Sequence, residues 1–180
     1  MYAILDDIWD ATETEVYKQF RARLRTKVRG AATVEVIRSH LCATGLCISP
    51  RDVYMSDIPT EFDLLAVRRS ARPRCGIIYD PADVKVVFEI KFYGVWGKEA
   101  VQELQERFAK VKAKHGHIQC VYITVLERKN FKYCVTSESL GAKAFTLYWV
   151  DNKDRVHEVA DSRESVVEWV RSASPDSQSP

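Results

Sequence analysis

Apolar residues recur at helical spacing in some stretches of this chain and in alternating or continuous blocks in others, and the two patterns predict different elements. Val16, Phe20, Leu24 and Val28 fall on one side of a helix; Thr12 and Glu15 have capping-box spacing, so the helix is expected to start near Thr12 and stop at Gly30. Val34, Ile37 and Leu41 predict a second, shorter helix over Ala32–Ala43, with Gly45 as its stop. Pro50 and Pro59 bracket an irregular or strand-like stretch containing Val53 and Tyr54, and Glu61–Val67 then reads as a buried strand. A turn-rich connection with Pro73, Gly76 and Pro81 carries a short strand at Ile77–Tyr79. Val86–Phe92, rich in β-branched and aromatic residues, is the next strand, broken by Gly94 and Gly97. Lys98–Lys114 predicts an amphipathic helix with Val101, Leu104, Phe108 and Val111 inward. Strands follow at Ile118–Leu126 and Phe145–Val150, then a helix from about Asp161 to Ser172, with Asp161 and Glu164 placed to cap it. The order predicts an α/β sandwich with a central mixed sheet flanked by helices, residues 1–172 forming one domain and the Ser/Pro-rich stretch 173–180 a disordered tail.

Composition narrows the class only a little. No apolar run approaches the roughly 18 residues a membrane span needs, and the mixed, acidic Met1–Asp10 does not read as a signal peptide, so a cytoplasmic protein is expected. Cys42, Cys47, Cys75, Cys120 and Cys134 are odd in number and form no CxxC pair, which argues for free thiols and against a disulfide framework or zinc site. The net charge of +2 decides nothing by itself, but its distribution does more. Lys18, Arg21, Arg23, Arg25, Lys27 and Arg29 follow one another with no acid between them, and Arg68, Arg69, Arg72 and Arg74 form a second cluster. Lys18, Arg21, Arg25 and Arg29 share a helix side and, with Arg68 and Arg69, are candidates for nucleic-acid binding. Such contacts position a duplex without reading its sequence.

The chemistry lies in two strands. Side chains alternate along a strand, so Glu89 and Lys91 share one face while Phe88, Ile90 and Phe92 take the other. Asp63 lies in the preceding buried strand, between Phe62 and Leu64. If the two strands pair, two carboxylates and an ammonium converge. Buried charges are costly unless they pair or bind a metal, and adjacent carboxylates suit a hard divalent cation. Asp63, Glu89 and the Ile90 carbonyl are the expected metal ligands, for Mg²⁺ or Mn²⁺, with Lys91 beside an attacking water and a phosphate oxygen. The bland alternative is an ordinary cross-strand ion pair.

Asp63 followed by Glu89-Ile90-Lys91 resembles the signature of the PD-(D/E)XK, or restriction-endonuclease-like, nuclease superfamily, with a spacing similar to that of Holliday-junction-resolvase-like members. The resemblance covers roughly residues 31–150, and the residue before Asp63 is Phe62 where the signature has Pro. It implies an αβββαβ core, with the basic stretch 12–29 as an extra N-terminal helix. It also implies a metal-dependent endonuclease that hydrolyses phosphodiester bonds, in double-stranded DNA, and as a homodimer if both strands are cut. Glu35 best matches the first-helix glutamate that supports the metal through water in such proteins. Three rivals stand beside this reading: a non-catalytic nucleic-acid-binding or assembly subunit of the same fold, an RNA-directed nuclease, and an unrelated α/β interaction protein in which Glu89 and Lys91 are merely paired. Among secondary candidates, Glu61 and Tyr93 share the faces of Asp63 and Lys91, and Gln102 and Gln105 lie on the helix after the motif. His115 and His117 lack partner ligands, and Trp96, Trp149 and Trp169 read as core or interface residues.

Overall fold

A computed structural model of the chain describes residues 4, 6–8, 22–94, 97–128, 136–160 and 162–174. Its elements run in the order α1 (Ala22–Ala43), β1 (Val53–Met55), β2 (Ile58–Phe62), β3 (Leu64–Val67), β4 (Ile78–Tyr79), a 3₁₀ turn (Pro81–Asp83), β5 (Val84–Tyr93), α2 (Lys98–Lys114), β6 (Gln119–Arg128), α3 (Ser137–Leu140), β7 (Lys143–Val150), β8 (Val156–Glu158) and α4 (Ser162–Ala173). The strands form two mixed sheets. The larger has the order β3-β5-β6-β7-β8, with β5, β6 and β7 parallel and both outer strands antiparallel to their neighbours. The smaller has the order β2-β1-β4 and holds the β1–β2 hairpin.

Alternation along β5 divides the core. Val86, Phe88, Ile90 and Phe92 enter a cluster with Val34, Ile37 and Leu41 of α1 and Val166 and Val170 of α4. On the opposite face Val87, Cys120 and Tyr122 pack with Leu104, Phe108 and Val111 of α2 and with Val53, Met55 and Phe62 of the hairpin. Burying each such aliphatic or aromatic side chain contributes roughly 1.5–3 kcal/mol relative to exposure, so the two layers hold the sheet from both sides.

Two local expectations fail for physical reasons. Gly30 does not stop a helix: α1 runs through it, because the packing of Val34, Ile37 and Leu41 outweighs the ~1 kcal/mol helix penalty of one glycine. The Thr33 hydroxyl, donating to the Arg29 carbonyl at 2.7 Å, sits in the following turn of the same helix. The expected start of this helix, with Thr12 and Glu15, lies outside the described residues. Glu61–Val67, in turn, is not one strand. β2 ends at Phe62, the chain bends at Asp63, and β3 starts at Leu64 in the other sheet. Phe62 packs in the α2-side core and Leu64 in the α1-side core, so Asp63 marks the point where the chain passes from one layer to the other.

Cys42, Cys47, Cys75 and Cys120 are free thiols, and Cys134 lies outside the described residues. Among the described residues no helix is long and apolar enough to cross a membrane.

Candidate active site

β3 is shorter than β5, and the site arises from that mismatch. The β3–β5 ladder begins at the Leu64–Phe88 pair, so beyond Phe88 this edge of β5 has no strand partner. Asp63 fills the gap, its Oδ2 accepting the Ile90 N–H at 2.6 Å. In a strand, the N–H and C=O of a residue point the same way, so the Ile90 carbonyl faces this edge too. Glu89 and Lys91 project from the same stretch toward the α2 face. Lys91 Nζ lies 2.6 Å from Glu89 Oε1 and 3.8 Å from Asp63 Oδ2. The structure thus brings together the three groups of the motif, Asp63, Glu89 and Lys91, with the Ile90 backbone between them.

A fourth charge, absent from the sequence reading, completes the cluster. Arg107 of α2 places Nη1 2.5 Å from Glu89 Oε2. The signal was present: position 107 falls on the helical stripe that Leu104, Phe108 and Val111 define, and a cation on a core-facing stripe needs a buried anion. Glu89 is that anion, its side chain only 6% exposed.

Burial, followed by repulsion from Glu89, pushes the Asp63 carboxyl up to about 6, although Lys91, the Ile90 N–H and Arg107 pull the other way. Burial likewise works against the Lys91 ammonium, but Glu89 and Asp63 more than offset it and hold its pKa above the usual lysine value. At neutral pH the Asp63 carboxylate is therefore held against both burial and the neighbouring Glu89 charge, and an added cation would relieve it. Among the described residues there is no group of three or more His, Cys, Asp or Glu side chains able to hold a metal. A cation here would have two carboxylates, one carbonyl and water. That donor set fits Mg²⁺, which commonly takes one or two carboxylates and keeps several waters.

The remaining candidates fall elsewhere. Glu35 lies on α1, whose apolar side packs on the other sheet face, and its carboxylate is held by Arg38 at 2.5–3.0 Å. The Arg38 hydrogen bond keeps its pKa low against a burial effect, with Arg51 a more distant contributor. Arg51 adjoins Asp52, whose N–H donates to the Asp63 carbonyl at 3.3 Å, but Glu35 itself is held by Arg38 and does not join the cluster. Arg29 stacks its guanidinium over the Phe92 ring at 5.3 Å, at the Lys91 end of β5 but on the α1 face. Arg68 and Arg69 are exposed at the far end of β3, roughly 16 Å from Asp63 at the rise of an extended strand. Lys18 and Arg21 lie outside the described residues, as does the side chain of Arg25. Glu61 accepts from the Tyr54 hydroxyl at 2.8 Å, Gln102 donates to Glu106 at 3.0 Å and Gln105 to the Ser139 carbonyl, so each is engaged away from the carboxylates. Tyr93 is exposed, its ring edge-on to Phe92. His115 pairs with Asp57 at 3.0 Å, and Trp149 stacks on His157 with ring centroids 4.3 Å apart. Trp96 lies outside the described residues.

A five-stranded mixed sheet between helices is the architecture of the restriction-endonuclease-like fold. Comparison with solved structures finds the same architecture in NucC. The cAAA-bound form of P. aeruginosa ATCC27853 NucC matches with a TM-score of 0.59 at 13% identity, covering 96% of this chain and 90% of that one. The cAAA-bound form of E. coli MS115-1 NucC matches with a TM-score of 0.59 at 11% identity, covering 96% and 88%. The apo form of the E. coli protein matches with a TM-score of 0.51 at 13% identity. No family model and no curated protein sequence matches the chain.

Proposed function

We propose that this chain is a divalent-metal-dependent nuclease that hydrolyses phosphodiester bonds, with double-stranded DNA as its substrate. The observation that carries the reading is the convergence of Asp63, Glu89 and Lys91 at the unpaired edge of β5. In this reading Asp63 and Glu89 hold the cation, Mg²⁺ or Mn²⁺, with the Ile90 carbonyl as a third donor. Bound there, the cation supplies Lewis acidity and offsets charge that builds on the phosphate. Lys91, its side chain 41% exposed, reaches both the carboxylates and solvent, so it can orient the attacking water and neutralise a phosphate oxygen. Glu35 would act only through water and only after loosening its grip on Arg38. Arg29, and Lys18, Arg21 and Arg25 with it, are proposed to meet the duplex backbone. A homodimer would supply two such sites for two strands.

A second reading has its own support. Both Glu89 oxygens are already occupied by cations, an arrangement that can stand as a purely structural ion-pair network in a binding subunit of the same fold. One experiment separates the two: incubation of supercoiled plasmid, linear duplex, single-stranded DNA and RNA with Mg²⁺, Mn²⁺ or EDTA, for the native chain and Lys91→Ala. NucC carries cAAA in its solved bound forms, so each reaction is run with and without that nucleotide. Metal-dependent cutting of duplex DNA that Lys91→Ala loses supports the nuclease. Cutting of RNA alone reassigns the substrate, and no cutting of anything by well-folded protein favours the binding subunit.

A further inference from the structure

Arg107 stands on the ligand atom that a metal would need. It approaches Glu89 Oε2 at 2.5 Å while Lys91 takes Oε1 at 2.6 Å, so both oxygens of Glu89, a carboxylate only 6% exposed, are already engaged. Resting on the metal reading above, we propose that Arg107 is a built-in competitor for the cation: it holds Glu89 until a divalent ion displaces it, and so sets the metal concentration at which the site fills.

The charges support this. Asp63 and Glu89 bring two negative charges, Lys91 and Arg107 two positive ones, and the cluster is close to neutral before any metal arrives. A guanidinium cannot lower its cost by losing a proton, because it stays charged at any pH the protein meets. It can only move. Arg107 is placed to do so: its side chain is 35% exposed and extends from the flank of α2. Helical spacing sets Glu103 one turn earlier on the same side, a carboxylate of the orientation that pairs well with a following arginine. Displacement therefore exchanges a buried partner for a solvent-accessible one and leaves no stranded charge. Arg107 is a positioning residue in this scheme, acting on the reaction through Glu89.

The test is calorimetric titration of Mn²⁺ into the full chain without nucleic acid, for the native protein, Arg107→Gln and Arg107→Lys, with Asp63→Ala as the control that removes heat arising at this site. Arg107→Gln is expected to bind Mn²⁺ about tenfold more tightly, equivalent to about 1.4 kcal/mol. Arg107→Lys keeps the charge but loses the guanidinium fork that reaches Oε2, and about threefold tighter binding is expected. Thermal melting in EDTA establishes that each variant folds; should Arg107→Gln fail to, Arg107→Lys decides. Unchanged or weaker Mn²⁺ affinity in the folded variants overturns the competitor role and leaves the metal site standing. If neither the native chain nor the variants take up Mn²⁺ at millimolar concentration, the metal reading falls and this inference with it.

Discussion

Asp63→Asn replaces a carboxylate that burial and Glu89 destabilise by a neutral group of the same shape. The Asp63 carboxyl titrates at about 6 in the folded chain against an ordinary value of 3.8. About two units at 1.36 kcal/mol each amount to roughly 3 kcal/mol of destabilisation once the group is fully ionised. The sign follows from proton linkage. Between the two values the folded chain holds more proton than the unfolded one, so stability falls as pH rises through that window and levels off above it. The variant escapes this loss, and an amide oxygen can still accept the Ile90 N–H. Asp63→Asn is therefore expected to be more stable than the native chain at pH 8 in EDTA, by about 1–3 kcal/mol after allowance for screening at a partly solvated site. For a chain of this length that is about 2–4 °C of melting temperature per kcal/mol. Urea denaturation in EDTA at pH 8 and pH 4 measures the gap directly; it should shrink toward zero at the lower pH. A variant less stable than the native chain at pH 8, or a gap that ignores pH, refutes the reasoning. The same variant should lose the proposed metal-dependent cleavage, so one substitution would raise stability and remove activity together.

Three further outcomes are expected. Mn²⁺ affinity should fall as pH drops through about 6, because the proton and the cation compete for Asp63, and titration at pH 5 and pH 8 checks this. Gly30→Ala should stabilise the chain by about 0.5–1 kcal/mol in urea denaturation, since the residue is mid-helix and an added Cβ meets nothing within 4 Å. The pair Arg68→Ala and Arg69→Ala should leave Mn²⁺ binding unchanged and alter duplex affinity only through its salt dependence, measured by anisotropy across a NaCl series.

The most legible parts of this structure were those whose sequence pattern is also their packing pattern. Lys98–Lys114 was expected and found with the same ends, because Leu104, Phe108 and Val111 declare one buried face and the glycines before it and His115 after it interrupt the helix. Val86–Phe92 was equally plain, a run apolar enough to be buried on both faces, and its alternation separated Glu89 and Lys91 from Phe88, Ile90 and Phe92. What depended on a partner was not legible. The bend at Asp63 exists because Phe62 and Leu64 serve different cores, and nothing local in Glu61–Val67 announces it. β8 is a three-residue strand made by pairing with β7, and α3 a single turn closed by its Thr136 cap. The charge balance of the site was half visible: Lys91 lies two residues from Glu89 in sequence, whereas Arg107 meets it only when α2 packs on the sheet.

Asp63 and Glu89 come from different segments, a strand joint and a strand interior, and the spacing between them is set like the jaws of a caliper. Glu89 is fixed within β5 of the large sheet, while Asp63 sits at the joint between the hairpin strand β2 of the small sheet and β3 of the large one. A single helix spans both jaws: α2 grips Glu89 through Arg107 and, about 10 Å further along its axis, clasps Asp57 at the hairpin tip through Lys114 and His115. Mg²⁺ and Ca²⁺ differ by only a few tenths of an ångström in their preferred oxygen distances. For the proposed cation, discrimination between them would then depend on how firmly the hairpin is seated as well as on the two carboxylates, and substitutions at the buried Met55 or Ile58 would register as a change in ion preference.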